Sequence, residues 1–456
     1  MSENYLHSVH VIAEACNGCV GCVKYCPTEA IRVRGGKAEI VATRCVDCGE
    51  CIRRCPTHAM VAQADTLEQL NKYEYNVALP APSLYAQFPA DVKREAIWQG
   101  LKTLGFDDIF DLSAASDYIA REIEDYISEY TEGRKPLISS ACPAVLRLIQ
   151  VKFPELIKQV IPILAPGEAA AIYTRREVAK KMNLPNEKIG IWFITPCPAK
   201  GTNIHQSVDV KHTEISGSIS IASIFGELTK AIGEDPVGAK MQGKITTGSS
   251  YGVGWGKSGG EVRAVGLKDA ITVQGIDQVY DALEQISMNK LPDVDYVECY
   301  ACQGGCIGGP FAAENRFVGE KNLRKRVEAL ELREGVPRRE AMEKSMTCEN
   351  WPTSAEFVKK LEPRPMMQLD EDITTAIAKL EKMDAVLESL PGLDCGACGA
   401  PTCQSLAEDI VQGNAHETDC IFVLRKRVKQ FARGMIELST QIPLMGNDKD
   451  EEEEKE

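Results

Sequence analysis

At 456 residues, 44% of them hydrophobic, the chain has the length of roughly two to four globular domains. Its formal charge of −14 argues against nucleic acid, which needs clustered basic side chains. No apolar run reaches the ~18 residues of a membrane span. Met1 to Asn17 does not read as a secretory signal either. A cytoplasmic location is therefore expected. Eighteen cysteines in a reducing compartment are thiols rather than disulfides. Metal explains them better, clusters held by four thiolates best, and an anaerobic setting fits.

Residues 1–64 carry Cys16-x-x-Cys19-x-x-Cys22-x-x-x-Cys26-Pro27, repeated as Cys45-x-x-Cys48-x-x-Cys51-x-x-x-Cys55-Pro56. This is the two-cluster bacterial ferredoxin pattern, in which the fourth cysteine of each run ligates the other cluster. One 4Fe–4S cluster would take Cys16, Cys19, Cys22 and Cys55, and the other Cys45, Cys48, Cys51 and Cys26. A zinc ribbon would want two pairs, not two four-thiol runs each closed by proline. Such a domain moves single electrons.

A short helical connector, Asp65 to Tyr73, leads into residues 74–345, where strands and helices alternate. Strands are predicted at Tyr75–Leu79, Asp107–Leu112, Pro136–Ser140, Lys188–Ile194, Ala270–Val273 and Val294–Tyr300. Helices are predicted at Val92–Leu104, Ala120–Tyr130 and Ile276–Met288. The alternation implies an α/β fold with largely parallel pairing. Three of the strands run into cysteine: Cys142, Cys197, and Cys302 with Cys306. Ligands in open α/β sheets bind at the carboxyl ends of strands, so these thiols are candidates to converge on one 4Fe–4S site. Gly304, Gly305, Gly308 and Gly309 would let backbone approach a bulky group. From the residues alone, a Gly-rich turn with unrelated buried cysteines stays open, as does zinc.

Residues 346–390 read as a charged helical linker with helices at Thr353–Leu361 and Asp370–Leu390. Cys395-x-x-Cys398-x-x-x-x-Cys403 follows, with Cys420 seventeen residues on. In a small, mainly α module at 391–425 these suit a third accessory 4Fe–4S cluster, with zinc as the alternative. Residues 446–456 are an acidic tail, read as solvated charge. Cys348 has no sequence partner and reads as structural, and none of the six histidines has ligand-type company.

The central region resembles the FeFe-hydrogenases. Three motifs carry the likeness, in the family's order and each at a strand end: Ser139-Ser-Ala-Cys142-Pro143, Thr195-Pro-Cys197-Pro-Ala-Lys200 and Glu298-Cys-Tyr-Ala-Cys302-Gln-Gly-Gly-Cys306. The resemblance implies that Cys142, Cys197, Cys302 and Cys306 hold the 4Fe–4S part of an H-cluster. Cys306 would also bridge to a diiron azadithiolate unit carrying CO and cyanide. Lys200 falls where the family's lysine donates to a cyanide, a charge-assisted contact. Pro82 and Ser83 match the lining of the other cyanide. Gly259 and Gly260, after Ser258, match a turn packed on the diiron ligands.

The departures point away from fast catalysis. Ala141 stands where catalytic members have a proton-relay cysteine. Relay glutamates align with Ile123 and Tyr126, and a further glutamate with Asn203. Two methionines around the diiron unit become Thr195 and Tyr300, and the last glycine-rich segment stops at Pro310. The chain is thus most similar to the sensory FeFe-hydrogenases: slow interconversion of H2 and protons, electrons passing through 4Fe–4S clusters to a carrier such as ferredoxin, and a signal to an unidentified partner. Dedicated maturation enzymes would load the diiron unit, and a homodimer is compatible with this reading. Two rivals remain. One is a conventional ferredoxin-linked hydrogenase with a rerouted proton path. The other is an iron–sulfur scaffold protein without the diiron unit. Period-2 alternation places Cys299 on the strand face away from Cys302, so it is not expected to replace the missing relay thiol.

Overall fold

The computed structural model describes residues 6–130, 133–233, 245–346, 351–352, 354–364, 369–370 and 372–441. Cys348, the start of the expected 353–361 helix and the acidic tail lie outside them. The chain divides into two compact units, residues 1–31 with 35–366, and residues 32–34 with 367–456.

The ferredoxin-like region has strands β1 (Val9–Val11), β2 (Ile31–Arg34), β3 (Lys37–Ile40) and β4 (Met60–Ala62), and all of it except Arg32–Arg34 belongs to the first unit. β4 pairs antiparallel with β1. Each half carries a short helix, Gly21–Lys24 and Glu50–Arg54, inside its cysteine run. A 3-10 helix at Leu67–Lys72 forms the connector.

The larger region is α/β, built from β5 (Tyr75–Pro80), β6 (Asp108–Ile109), β7 (Leu137–Ile138), β8 (Ile189–Thr195), β9 (Gly217–Ser220), β10 (Ala270–Gln274) and β11 (Tyr296–Tyr300). A parallel sheet runs in the order β6-β5-β8-β9, and a second, also parallel, in the order β10-β11-β7. Every residue of β8 is buried, because helices cover both faces of its sheet. Val77, Leu79, Ile191 and Phe193 pack with Ala170 and Ala171 of helix Pro166–Met182. Ala78, Trp192 and Ile194 pack with Ile97, Leu101 and Leu228. This core fixes where β5 and β8 end, and so where Ser83 and Cys197 start.

Two expectations need correction. The strand expected over Asp107–Leu112 is only Asp108–Ile109, and the helix expected from Ala120 begins at Leu112. Asp111 is the reason: its carboxylate accepts from the Ser113 backbone N–H at 3.1 Å and caps the helix. No helix forms among the described residues of 353–361. There the Leu164 N–H donates to the Ala355 carbonyl and the Phe357 N–H to the Pro162 carbonyl, pinning the segment in extended form. Tertiary pairing has overridden local propensity.

In the second unit, helices Ile373–Ser389 and Cys403–Val411 enclose a small core of Met383, Val386, Leu390, Leu406, Ala407 and Val411. Cys420 is buried in that core, and helix Ile421–Gln441 leaves from it.

Candidate metal centre

The ferredoxin-like run brings its thiols together in the interleaved way. Burial, then Cys19, and further Cys16 and Cys55, push the Cys22 thiol up to about 11. Burial and then Asp47 push Cys45 up, with Cys26 and Cys51 adding to it. Cys48 is raised by burial and Cys26, and Cys51 by burial, Cys48 and Cys26. Thiols that raise one another's pKa share a site, and metal resolves the conflict by binding the thiolates. The internal repeat is exact in its N–H···S contacts: Ala30 N–H donates to Cys26 Sγ and Ala59 N–H to Cys55 Sγ, both at 3.2 Å.

One histidine does have ligand-type company. His7, Cys45 and Asp47 bring ligand atoms within 4.8 Å of one another. His7 Nδ1 lies 3.0 Å from Asp47 Oδ2 and its Nε2 lies 2.8 Å from the Ala42 carbonyl, so both ring nitrogens are engaged. His7 therefore orients Asp47 rather than offering a free ligand atom.

The second group of thiols stands at the carboxyl ends of β7, β8 and β11. Cys142 and Cys197 each immediately precede a helix with proline in its first turn. Thr195 Oγ1 accepts from the Cys197 N–H at 3.3 Å, so Thr195 shapes the turn that presents Cys197. Three loops are stitched by backbone bonds: Ser258 N–H to Gly304 O, Ile307 N–H to Gly256 O, and Phe311 N–H to Pro196 O. Gly305 has φ of +80°, and a Cβ there would lie 2.5 Å from the Ser258 nitrogen. Only glycine fits that approach.

Burial, then Cys302 and Cys142, raise the Cys197 thiol, and Cys306 adds to them. Burial raises Cys306 to about 11 against the pull of Lys200. Burial alone would lower the Lys200 ammonium, but Cys306, Cys197, Cys142 and Cys302 together outweigh it and raise it. Four thiols and one lysine thus face a common space, with Lys200 Nζ 5.3 Å from the Phe193 ring centroid. Pro82 and Ser83 are buried, and Ser83 Oγ has no hydrogen-bond partner among the described residues. An orphaned buried hydroxyl is costly unless a bound group satisfies it.

The ferredoxin-like region reaches this space. Cys48 packs against the apolar cluster that holds Cys142, with Cys197 and Cys306 beside it. Burial would lower the Arg53 guanidinium's pKa, but the charge of Cys302, a hydrogen bond to that same thiol, Glu50 and Cys48 raise it. Arg53 therefore links the two thiol groups.

Two buried acids that the motifs did not single out as site residues lie next to Cys142. Glu261 and Glu298 are both 0% exposed. Ser139 Oγ donates to both Glu261 oxygens at 2.8 and 2.9 Å, the Tyr296 hydroxyl donates at 2.6 Å and the Tyr300 hydroxyl at 3.4 Å. Ser139 Oγ in turn accepts from the Ala141 N–H at 3.2 Å. Glu298 accepts from the Gly259 and Val262 N–H groups, both at 2.8 Å, and so holds the Gly259–Gly260 turn. Burial raises both acids, and Glu261 raises Glu298 further. Glu298, pushed up to about 8, holds a proton at neutral pH. A charged residue inside the apolar strand Tyr296–Tyr300 was the available sequence signal. Cys299, on the opposite strand face, is fully buried in an apolar cluster, and burial raises its thiol.

Ala141 shares a cluster with Tyr118, Ile119, Ile123 and Trp255, and Tyr126 packs against it. A cavity of about 30 Å³ lies beside Lys200, lined also by Ser140, Glu168, Asn203 and Asp209. Burial and then Asp209 push Glu168 up to about 8, although Thr213 Oγ1 donates to both its oxygens at 2.9 Å.

In the second unit Cys398 and Cys403 pack against the core that buries Cys420. Burial raises Cys398, and Cys420 adds to it. Cys395 is exposed, on the loop before them.

Comparison with known proteins agrees with this layout. Residues 74–310 match the family described as the iron-only hydrogenase large subunit, C-terminal domain. Residues 8–56 match a 4Fe–4S dicluster domain, and 390–422 an Fe–S cluster family. The NADP-reducing hydrogenase subunit HndD of Solidesulfovibrio fructosivorans is 24% identical over 258 residues, 46% of this chain and 44% of that protein. Iron hydrogenase 1 of Clostridium pasteurianum is 25% identical over 258 residues, 47% of this chain and 44% of its own. The match thus spans less than half the length of these relatives. A single-residue variant of FeFe-hydrogenase HydA1 from Chlamydomonas reinhardtii shares the fold with a TM-score of 0.50 at 14% identity, over 66% of this chain and 98% of its own.

Proposed function

Since this chain belongs to the iron-only hydrogenase large-subunit family, we propose that it is a slow, sensory FeFe-hydrogenase that reports H2 or redox state to a partner. Cys142, Cys197, Cys302 and Cys306 would hold the 4Fe–4S part of the H-cluster, and Cys306 would bridge to the diiron unit. Lys200 and the orphaned Ser83 hydroxyl fit the polar ligands of that unit, and the Gly259–Gly260 turn would close over it. When bound, the assembly supplies heterolytic splitting of H2 and a store for the electrons. Arg53 and Cys48 provide the contact through which those electrons reach the ferredoxin-like clusters, held by Cys16, Cys19, Cys22 and Cys55 and by Cys45, Cys48, Cys51 and Cys26. Cys395, Cys398, Cys403 and Cys420 would hold the accessory cluster of the second unit.

The observation that carries the low turnover is the wall at Ala141. A methyl group stands at the relay position, buried in an apolar cluster that also holds Ile119, Ile123 and Trp255. None of these groups passes a proton, and general acid–base help is worth roughly 10²- to 10⁴-fold in rate. Infrared spectroscopy of the anaerobically matured protein tests the proposal. Bands of bound CO and cyanide that shift under H2 are expected. Bands that never shift would refute the sensing role, and no bands beside a correctly matured control hydrogenase would favour the scaffold reading.

A second reading, fast turnover by a rerouted path, draws support from Glu261. This acid accepts from Ser139, Tyr296 and Tyr300, and burial raises its pKa. Dye-linked turnover separates the two readings, because rerouted fast catalysis would match the rates of conventional hydrogenases.

A further inference from the structure

Helix Ile421–Gln441 is held at one end only. Val423 packs against the core of the second unit, while the large apolar residues further along are exposed. Ile421, Leu424, Val428, Phe431, Met435 and Leu438 are between 45 and 71% exposed. A helix of this length standing free gains little from packing, and helical stability in proteins comes mainly from a buried face. Gly434 in its interior weakens it further. The helix needs a partner.

The spacing identifies the partner. The six residues alternate three and four apart without a break, which is a strict 3.5-residue repeat over three heptads. On a straight helix of 3.6 residues per turn such a stripe drifts around the axis, and it stays buried only against a helix that supercoils with it. The helix carries the cations Arg425, Lys426, Arg427, Lys429 and Arg433, and the residues after it include the acidic run Asp448, Asp450 and Glu451 to Glu454. The first position of each heptad holds Ile421, Val428 and Met435, and the fourth holds Leu424, Phe431 and Leu438. β-Branched residues at the first and Leu at the fourth favour two parallel strands. The flanking positions that meet across such a pair are Arg427 with Ala432, and Gly434 with Ser439, so no like charges oppose when the two strands are identical.

We propose that this helix is a dimerisation element that pairs in parallel with the same helix of a second copy of the chain. The pairing starts one residue after Cys420, so it would bring the Cys395–Cys420 modules of two copies to the same end of one coiled coil. It does not depend on what the thiol groups of the first unit bind.

Anaerobic sedimentation equilibrium of the full-length iron–sulfur-loaded protein tests this against the 50.0 kDa chain mass. Twice that mass is expected, and Val428→Glu is expected to weaken the dimer by about tenfold or more, because an unpaired charge enters the seam. Cluster absorbance should be unchanged in that variant, and Lys426→Glu, on the outer face, should leave the mass unchanged. Ala432→Glu sets a carboxylate opposite the partner's Arg427 only in the parallel arrangement, and roughly threefold tighter, salt-sensitive pairing is expected. A monomer at every concentration, or a dimer indifferent to Val428→Glu, overturns the proposal. No tightening by Ala432→Glu overturns the parallel alignment. Co-sedimentation of the chain with phosphatidylglycerol vesicles would assign the helix to a membrane instead.

Discussion

The two sides of the Ser139–Cys142 turn differ in kind. On one side Ala141 belongs to an apolar cluster with Ile119, Ile123 and Trp255. On the other, Ser139 hands on to Glu261, Tyr296 and Tyr300, a buried hydrogen-bonded network with a second acid, Glu298, behind it. Both sides are equally dry, so exclusion of water does not distinguish them. The difference lies in whether a titratable group survives burial. Glu261 does because four donor contacts from three side chains compensate the desolvation that raises its pKa. The Ala141 side presents methyl and ring surface, and the Glu261 side carries the titratable groups.

Substitution at Glu261 should break the contrast most severely. Glu261→Gln keeps the shape and removes the titratable proton, and H2 oxidation in the matured protein should fall roughly 10²-fold or more. Infrared bands retained at full intensity would show that loading is intact. Unchanged turnover would mean that Glu261 is a structural acid, anchoring Tyr296 and Ser139.

Restoring a thiol on the apolar side should act in the opposite direction. Ala141→Cys is expected to raise dye-linked turnover by about tenfold, short of the full general-acid effect because Ile123, in the same apolar cluster, offers the thiol no acceptor. No gain would place the limit in that cluster rather than at the single missing thiol.

The acid beside Lys200 gives a smaller effect, read in stability. Glu168 has a folded pKa of about 8 against an ordinary 4.5. The folded chain therefore holds a proton that the unfolded chain has released between about pH 4.5 and 8. Its contribution is fully present below pH 4.5 and lost as the pH rises through 8. Glu168→Gln should flatten that fall, by a few kcal/mol at pH 9 on the order of the shift itself. Parallel Tm curves for the two proteins from pH 5 to 9 would refute the assignment.

Cys299→Ser should matter least to turnover. Its thiol packs in an apolar cluster, and although the charges of Glu261 and Glu298 add to burial in raising it, it is not one of the groups that hydrogen-bond Glu261. The rate should therefore stay within about twofold while stability falls by roughly 1–3 kcal/mol from an unsatisfied hydroxyl. Abolished H2 oxidation with the cofactor still loaded would make Cys299 the substitute relay after all.

What the sequence determined by itself was set by chemistry that does not depend on packing. Cysteine spacing is dictated by the reach of four sulfurs around one cluster, so the two ferredoxin-like runs, the thiols at the strand ends and the C-terminal group were legible as residues. The α/β alternation was legible too, because buried parallel strands such as Ile189–Thr195 are unbroken apolar runs. Tertiary structure decided the rest. The extended segment after Pro352 takes its form from backbone bonds to residues 162–164, partners about 190 positions away along the chain. Glu261, two residues beyond Gly259, resembled any surface glutamate until Ser139, Tyr296 and Tyr300 closed on it from other elements. A carboxylate's pKa, and therefore its use, is a property of what surrounds it. No local pattern in a chain records that environment.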